Sequence, residues 1–306
     1  MQSELFTILK RIVIFFLLLA CLDLLIGRVI NVLFDHQKTG ELYKRTYLLN
    51  SKDELLIFGS SSANHHYIPS IFSDSLKMSC FNAGDDGQSI FYHDAMLAGL
   101  LSKHHPKVII LGLEESDYVK TEIEYSKDRL FVLLPYCRKE PALKSTVLSV
   151  DEWGKIKFLS TIYPNNSQLF TIFSGFLGLN RKITDGGYVP LYNEMQKELG
   201  HEPDVPMEAD TAKVKSLESF LKKAAAVNCR VFAVISPKYV IRANPDLYFQ
   251  VRPLLDKYKV RMFYHEQDSL FLADRSLFSD SVHMNDKGAR IFSSMVAHEI
   301  RQALAR

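Results

Sequence analysis

The chain has 306 residues, of which 47% are hydrophobic and 24% charged, so it is long enough for a large buried core and too apolar to be disordered. Its 37 Lys and Arg residues nearly balance 35 Asp and Glu residues, leaving a net charge of +2, so we expect no nucleic acid partner. The 4 cysteines lack CxxC spacing, which argues against a structural zinc site or a dense disulfide framework.

The N-terminal segment is the most apolar part of the chain. Two basic residues precede eleven consecutive apolar residues at 12–22, and apolar residues resume further on. A signal peptide has a core of this length, but no small-residue cleavage site follows it. We therefore predict an uncleaved membrane anchor at about residues 9–34, within an N-terminal unit of residues 1–37. A lipoprotein-like box ends at Cys21, but cleavage there would leave an apolar tail at the start of the mature protein.

Asp23 and Arg28 fall inside the predicted anchor. A carboxylate near the middle of a span costs about 2.5 kcal/mol or more unless it meets a polar partner. Two interpretations stay open: Asp23 faces another membrane helix and indicates a membrane partner, or both charged side chains snorkel to the interface. Basic residues flank both ends of the segment, so the positive-inside rule does not decide its orientation.

After a polar stretch at 35–53, short apolar runs alternate with helical patterns. The first three runs lie at 55–58, 78–81 and 108–111, with a predicted helix at 88–102. Apart from Ser79, each run is continuously apolar, which is typical of parallel strands covered on both faces. The sequence therefore predicts an α/β protein, a Rossmann-like three-layer α/β/α sandwich with a parallel sheet.

The pattern lapses at about 119–207, and we interpret this region as a partly helical insertion in a single domain of residues 38–306. Phe170, Phe173 and Phe176 have roughly helical spacing there, and we expect them in the core of the insertion rather than in an acyl pocket. The elements predicted after the insertion are a helix at 210–227, a strand at 230–235, a helix near 246–257, a strand at 260–264 and a helix at about 286–304.

The last helix has clear boundary signals. Asn285 is its expected N-cap, because an Asn side chain can accept a hydrogen bond from the first turn. The small Gly288 and Ala289 are expected to let the helix pack closely against a strand.

Polar residues gather where ligands bind in an open parallel sheet, beyond the carboxyl ends of the strands. Serines at 60–62 follow the first strand, Asn82 and Gly87 follow the second, and Asp280 and His283 precede the last helix. A serine in a strand-to-helix turn can act as a nucleophile, and an aspartate can fix the tautomer of a nearby histidine base. Each feature alone also fits an ordinary cap or turn.

Together, GxS after strand one, Asn with a Gly five residues on, and DxxH before the C-terminal helix resemble the SGNH, or GDSL-like, hydrolase superfamily. The resemblance covers about residues 53–117 and 230–300 and implies a flavodoxin-like sandwich. It implies that Ser61 is the nucleophile, whose amide shares the oxyanion hole with the amide of Gly87, that Asp280 is the orienting acid and that His283 is the base. These site assignments come from the resemblance and not from spacing alone.

Two positions depart from the family pattern. The usual aspartate of the first block is Ser60, a form that resembles membrane-anchored relatives working beside membrane-bound O-acyltransferases in polysaccharide acetylation or teichoic acid D-alanylation. The third block lacks its asparagine, and Glu114 or Ser116 falls near that place. A carboxylate there would repel an oxyanion, whereas a serine could donate to it; the loss of one donor costs roughly 10²–10³ in rate.

His65, His66 and Asn82 are expected neighbours of this site. Adjacent histidines on a helix point about 100° apart and do not easily bind one metal ion. We therefore expect histidine packing beside the serine loop, with no metal and no cofactor.

The resemblance implies a membrane-anchored serine esterase or O-acyltransferase acting on an acylated extracytoplasmic glycan or envelope polymer. The resemblance also implies a single-pass anchor with the catalytic domain outside the cytoplasm, in the periplasm. Hydrolysis and transfer both stay open. The alternative is a catalytically weak scaffold or accessory subunit of a membrane-bound acyltransferase. The enzyme predicts sensitivity to the loss of Ser61, and the scaffold predicts sensitivity to the loss of Asp23.

Overall fold

The structure is a computed structural model. It describes residues 2–120, 127, 129–150, 154–181, 185–202, 208–242, 248 and 250–305. The insertion predicted at 119–207 and the helix predicted near 246–257 are therefore described only in part.

The chain begins with a long helix, α1 (Gln2–Asp35), of 34 residues. Within the described residues it is the one helix long and apolar enough to cross a membrane, in agreement with the anchor predicted at 9–34. Its buried residues, Gly27, Ile30 and Phe34, all lie toward its C-terminal end. Among the described residues, the helix therefore packs on the rest of the protein through its C-terminal half.

A parallel sheet forms the centre of the molecule. The strands are β1 (Leu55–Gly59), β2 (Cys80–Asn82), β3 (Val108–Gly112), β4 (Gly200–Glu202), β5 (Arg230–Ile235), β6 (Val240–Arg242) and β7 (Arg261–Tyr264). The main sheet has the order β2-β1-β3-β5-β7 with parallel pairing throughout, and β4 pairs with β6 in a separate parallel ribbon. The prediction of an α/β fold with a parallel central sheet is confirmed.

Helices connect the strands and extend beyond them. After α1 they are α2 (Gly40–Leu49), α3 (Ser61–His66), α4 (Pro69–Leu76), α5 (Ile90–Leu101), α6 (Pro141–Val150), α7 (Gly154–Lys157), α8 (Leu169–Phe176), α9 (Thr211–Ala226), α10 (Arg252–Lys257), α11 (Ser269–Leu272) and α12 (Asp286–Leu304). The sequence patterns did not predict α2 or the β4–β6 ribbon.

Alternate residues of each central strand contribute to two different hydrophobic clusters. Leu56 and Phe58 of β1 join the cluster that contains residues of α2, α5 and α9. Leu55 and Ile57 join the cluster that contains residues of α3, α4 and α12. Since both sets of side chains are buried, the strand is apolar at every position, which is the pattern seen in the sequence.

Two local predictions were inaccurate. The strand predicted at 78–81 is displaced to β2, because α4 continues to Leu76 and Lys77 then takes a left-handed conformation with φ 56°. The close packing of Gly288 is not against a strand: a Cβ there would lie 2.2 Å from the carbonyl oxygen of Leu277, in a 3-10 turn. The cap of α12 was predicted correctly, since Asn285 Oδ1 accepts from the Gly288 N–H at 3.2 Å.

The prediction that three phenylalanines form the core of the insertion was wrong. Phe170 and Phe173 of α8 are 84% and 54% exposed, and Phe176 is partly exposed. The helix instead buries Ile172, Ser174 and Gly175. The helix therefore packs through its small and medium-sized residues, while Phe170 and Phe173 project away from the protein.

Candidate active site

Ser61 is the first residue of α3, immediately beyond the end of β1. The turn depends on Gly59, which has φ +143° and lies so close to β3 that a Cβ would be 2.6 Å from the carbonyl oxygen of Gly112. Ser60 occupies the N-cap position of α3. The glycine therefore lets the chain turn sharply into a short helix and places the Ser61 hydroxyl beyond the carboxyl end of the sheet.

A hydrogen-bonded chain joins three of the predicted site residues. His283 Nε2 lies 2.8 Å from Ser61 Oγ, although the two residues are 222 positions apart in sequence. His283 Nδ1 lies 2.9 Å and 3.1 Å from the two carboxylate oxygens of Asp280. Asp280 Oδ1 also accepts from the backbone N–H groups of Val282 and His283 at 2.8 Å. The order of contacts is therefore serine, histidine, aspartate.

Within this hydrogen-bonded triad, the charges of Asp280 and protonated His283 stabilise each other. Partial burial opposes ionisation of Asp280, but hydrogen bonds from the His283 ring and two backbone N–H groups hold its pKa below the ordinary value. Burial lowers the pKa of His283, but Asp280, with smaller contributions from Glu114 and Asp86, raises it above 6.5 in net effect. The imidazole is therefore a stronger base than free histidine. The His283 and Asp280 side chains are 24% and 54% exposed, so water reaches this site.

His66 supports the loop that carries His283. Its Nε2 accepts a hydrogen bond from the Met284 N–H at 2.9 Å. Full burial, followed by the charges of His283 and His65, lowers the pKa of His66 well below 6.5. A neutral ring with an unprotonated Nε2 is the form that can accept this bond, so His66 acts here as a positioning residue.

His65 points to other partners. Its Nδ1 lies 2.6 Å from the carbonyl oxygen of Val189, and its Nε2 lies 3.4 Å from Asp86 Oδ1. Its ring meets that of His283 edge to face, with centroids 5.5 Å apart. The two adjacent histidines thus brace different loops, and within the described residues no group of three His, Cys, Asp or Glu residues could hold a metal ion.

Asn82 holds the two site loops together rather than facing Ser61. Its Nδ2 donates to the carbonyl oxygens of Ala63 and Tyr67 at 2.7 Å and 2.8 Å, and its Oδ1 accepts from the Gly84 N–H at 2.8 Å. The side chain is fully buried. It therefore fixes the loop after β2 against α3.

Gly87 lies in the same loop with φ +67°, a conformation that favours glycine. Arg129 Nη1 donates to its carbonyl oxygen at 2.5 Å, and a Cβ on Gly87 would collide with this guanidinium. In the described part of the chain no hydrogen bond joins Gly87 to Ser61. The neighbouring Asp86 approaches the site through His65.

The two departures from the family pattern meet in space. Ser60 Oγ donates to Glu114 Oε1 at 2.5 Å. The Glu114 N–H donates to Asp117 Oδ2 at 3.1 Å, in a reciprocal cap of a 3-10 turn that also contains Ser116. Glu114 is therefore held near Ser61 by Ser60, while no contact among the described residues brings Ser116 to Ser61.

A buried charged network beneath these loops was not predicted. Lys44 of α2 donates to Asn64 Oδ1 at 2.6 Å and to the carbonyl oxygen of Gly84 at 2.5 Å. Arg45 donates to both carboxylate oxygens of Asp85 at 2.7 Å and 3.0 Å. Both cations are buried, at 2% and 7% exposure, and burial lowers the pKa of Lys44. These residues belong to the polar stretch at 35–53, where Lys and Arg ordinarily indicate a solvated surface.

Comparisons with known proteins assign no family to this chain, so the functional argument rests on the geometry described above. No protein-family model matches the chain, and a search of curated proteins finds no match.

Proposed function

We propose that this protein is an SGNH-like serine esterase or O-acyltransferase, anchored by α1, that acts on an acylated extracytoplasmic glycan or envelope polymer. The observation that carries the proposal is the hydrogen-bonded chain from Ser61 Oγ through His283 to Asp280. A nucleophile, a base and an orienting acid in this order are what acyl transfer through a serine requires.

In the proposed reaction, His283 Nε2 removes the Ser61 proton while Ser61 Oγ attacks the carbonyl carbon of an ester. The N–H groups of Ser61 and Gly87 would stabilise the oxyanion. The tetrahedral intermediate then expels the alcohol, which takes the proton from His283, and an acyl-serine remains. His283 next deprotonates water or a sugar hydroxyl, whose oxygen attacks the acyl-serine and releases an acid or a new ester.

The sheet topology supports the same proposal. Leaving aside the β4–β6 ribbon, the strand order matches the flavodoxin-like order 2-1-3-4-5 of doubly wound proteins. In such folds the ligand binds beyond the carboxyl ends of the strands, which is where β1 delivers Ser61. A three-layer α/β/α sandwich is part of this proposal.

The Ser60–Glu114 contact suits an active variant of the site. The family pattern has a carboxylate in the first block and a polar amide in the third, and here a hydroxyl and a carboxylate take the two places. Because Ser60 donates to Glu114, one carboxylate oxygen already accepts a hydrogen bond. Glu114 also raises the pKa of His283, so its negative charge makes this histidine a stronger base.

The scaffold alternative combined the missing asparagine of the third block with a role for the anchor and Asp23 in holding a membrane partner. In the structure Asp23 Oδ2 accepts from the Thr161 N–H at 2.6 Å, and its Oδ1 accepts from Ser160 Oγ at 2.5 Å. The Asp23 carboxylate therefore has its hydrogen-bond partners within the chain. In the transfer reaction a membrane-bound acyltransferase would supply the acyl groups, but Asp23 gives no argument for such a partner.

The test is labelling of the full chain, in detergent or nanodiscs, with a fluorophosphonate read by intact mass. We expect one adduct on the wild type, none on Ser61→Ala or His283→Ala, and labelling slowed by roughly 10²-fold in Asp280→Asn. Ser62→Ala is the matched control, because Ser62 Oγ is buried beside the site, has no hydrogen-bond partner among the described residues and should be dispensable.

An adduct that persists in Ser61→Ala would contradict the assignment of Ser61 as the nucleophile. No adduct on a folded wild type would contradict the proposal and favour the scaffold. Where labelling succeeds, competition between water and a sugar acceptor for an acylated enzyme separates hydrolysis from transfer.

A further inference from the structure

The lobe of residues 154–181, which contains α7 and α8, exposes many large apolar side chains while several of its polar side chains are buried. Its exposed large apolar side chains are Ile156, Leu159, Tyr163, Leu169, Phe170, Phe173, Leu177 and Leu179. The most exposed are Phe170 and Leu159, at 84% and 83%. In contrast, the polar side chains of Asn165, Gln168 and Ser174 are buried, at 0%, 6% and 5%. A surface in contact with water is normally arranged the other way round.

The lobe is attached along the C-terminal half of α1. Asp23 accepts hydrogen bonds from Ser160 and from the N–H and hydroxyl of Thr161. Further along α1, Asn165 Nδ2 donates to Asn31 Oδ1 at 3.3 Å. These contacts run from Asp23 to Asn31, about 12 Å along the helix axis at 1.5 Å per residue. The lobe therefore lies beside the part of α1 that follows its most apolar run.

The attachment at Asp23 is close. A Cβ on Gly27 would lie 2.1 Å from Thr161 Oγ1, so only glycine allows the two backbones to approach this far. The hydrogen bonds satisfy the carboxylate of Asp23, which would otherwise be costly inside a bilayer. If α1 crosses a membrane, the Ser160 end of the lobe lies at the depth of Asp23.

The charge pattern of the lobe fits a phospholipid surface. Residues 154–181 include no Asp or Glu, and their basic residues, Lys155, Lys157 and Arg181, stand near the two ends. Apolar and aromatic side chains flanked by basic residues are typical of segments that lie in the interface of a bilayer with anionic headgroups.

We infer that residues 154–181 insert into the membrane leaflet next to the catalytic domain, with Leu159 deeper and Phe170 nearer the headgroups. The inference rests on the proposed anchoring by α1, and the occupant of the apolar face is lipid because the face continues the lipid-exposed surface of α1. The protein is then held at the membrane by two elements rather than by a single flexible anchor.

This contact would fix the height of Ser61 above the membrane. The Gly40 N–H at the start of α2 donates to the carbonyl oxygen of Arg181 at 2.9 Å, and α2 carries the Lys44 that binds Asn64. Further along the chain, the Val189 N–H donates to the carbonyl oxygen of Asn64 at 3.1 Å. The lobe is thus linked to α3 through α2, and the later residue Val189 bonds to α3 as well. Substrates delivered at the membrane surface are the class that such a placement favours.

Tryptophan reporters in the full chain test the inference. The sequence has 1 Trp, at position 153, which is first replaced by Phe. Leu159→Trp, Phe170→Trp and Leu179→Trp are then placed one at a time in nanodiscs, with spin-labelled lipids as quenchers in the bilayer and iodide as the quencher in water. Leu270→Trp on α11 is the matched control, because Leu270 is 53% exposed on the catalytic domain.

We expect lipid spin labels to remove most of the emission of the lobe reporters, with Leu159→Trp favouring the deeper label, and iodide to quench only Leu270→Trp. Quenching of the lobe reporters by iodide and not by lipid would overturn the inference. Protection from both quenchers would also overturn it and assign the face to a protein contact. Fluorophosphonate labelling of the same variants reads Ser61 separately, so failure of the lobe and failure of the serine site are distinguishable.

Discussion

The loops around Ser61 and the lobe at 154–181 are held by different kinds of polar contact. The loops rest on buried charges of both signs, in which Arg45 pairs with Asp85 inside the domain. The lobe rests on Asp23, whose partners are neutral hydroxyl and backbone groups. The loops present polar chemistry to water, whereas the lobe presents apolar side chains outward.

This difference shows how one chain can be built for two surroundings. A buried ion pair is sensitive to the loss of either partner, because the remaining charge has no solvent to stabilise it. A carboxylate with several neutral donors depends less on any one of them, and it leaves no opposite charge behind when it is removed. Three substitutions test the contrast.

The largest effect is expected for Arg45→Ala. It leaves Asp85 buried without its counter-ion, so the free energy of unfolding should fall by about 3–5 kcal/mol. Denaturant unfolding of the full chain in detergent measures this, with Lys52→Ala, at an exposed position of the same region, as the control. A loss no larger than that of the control would show that the network does not support the site loops.

A smaller effect is expected for Asp23→Ala. It removes the acceptor for Ser160 and Thr161, and we expect a loss of about 1–3 kcal/mol together with faster hydrogen exchange in residues 160–165. Leu22→Ala is the matched control, because the neighbouring Leu22 is 52% exposed on α1. Unchanged exchange in the lobe would argue that Asp23 does not attach it to α1.

The smallest effect is expected for Glu114→Gln. Because the charge of Glu114 helps to raise the pKa of His283, its removal should lower that pKa and let the base stay neutral in more acidic solution. The acid limb of the labelling rate should therefore move to lower pH, giving roughly twofold faster labelling on that limb. Glu198→Gln, at a position 87% exposed, is the control. A limb that moves to higher pH would contradict this account of Glu114.

Much of the fold follows from local patterns. The strand at 230–235 was predicted with the bounds of β5, because its side chains are buried on both faces and leave a continuous apolar run. The helix predicted at 286–304 is α12, and its cap at Asn285 forms as expected. Such features depend on residues close together in sequence, so the sequence alone reveals them.

The site was predictable only as separate motifs. Ser61, Asp280 and His283 were selected by a resemblance to a family pattern, and the contact of His283 with Ser61 depends on a fold that joins positions 222 residues apart. Glu114 was recognised as a departure, but its hydrogen bond with Ser60 could not be inferred from either motif alone.

The sequence by itself determined the α/β class, the parallel sheet, the apolar N-terminal helix and the residue types available for chemistry, because periodic burial leaves a local trace in hydropathy. Only the tertiary structure decided that Lys44 and Arg45 are buried, that Asp23 is satisfied within the chain and that Phe170 points outward. Hydropathy does not identify the partner of a polar group, nor whether an apolar side chain meets protein or lipid. Those outcomes depend on contacts between residues far apart in the chain.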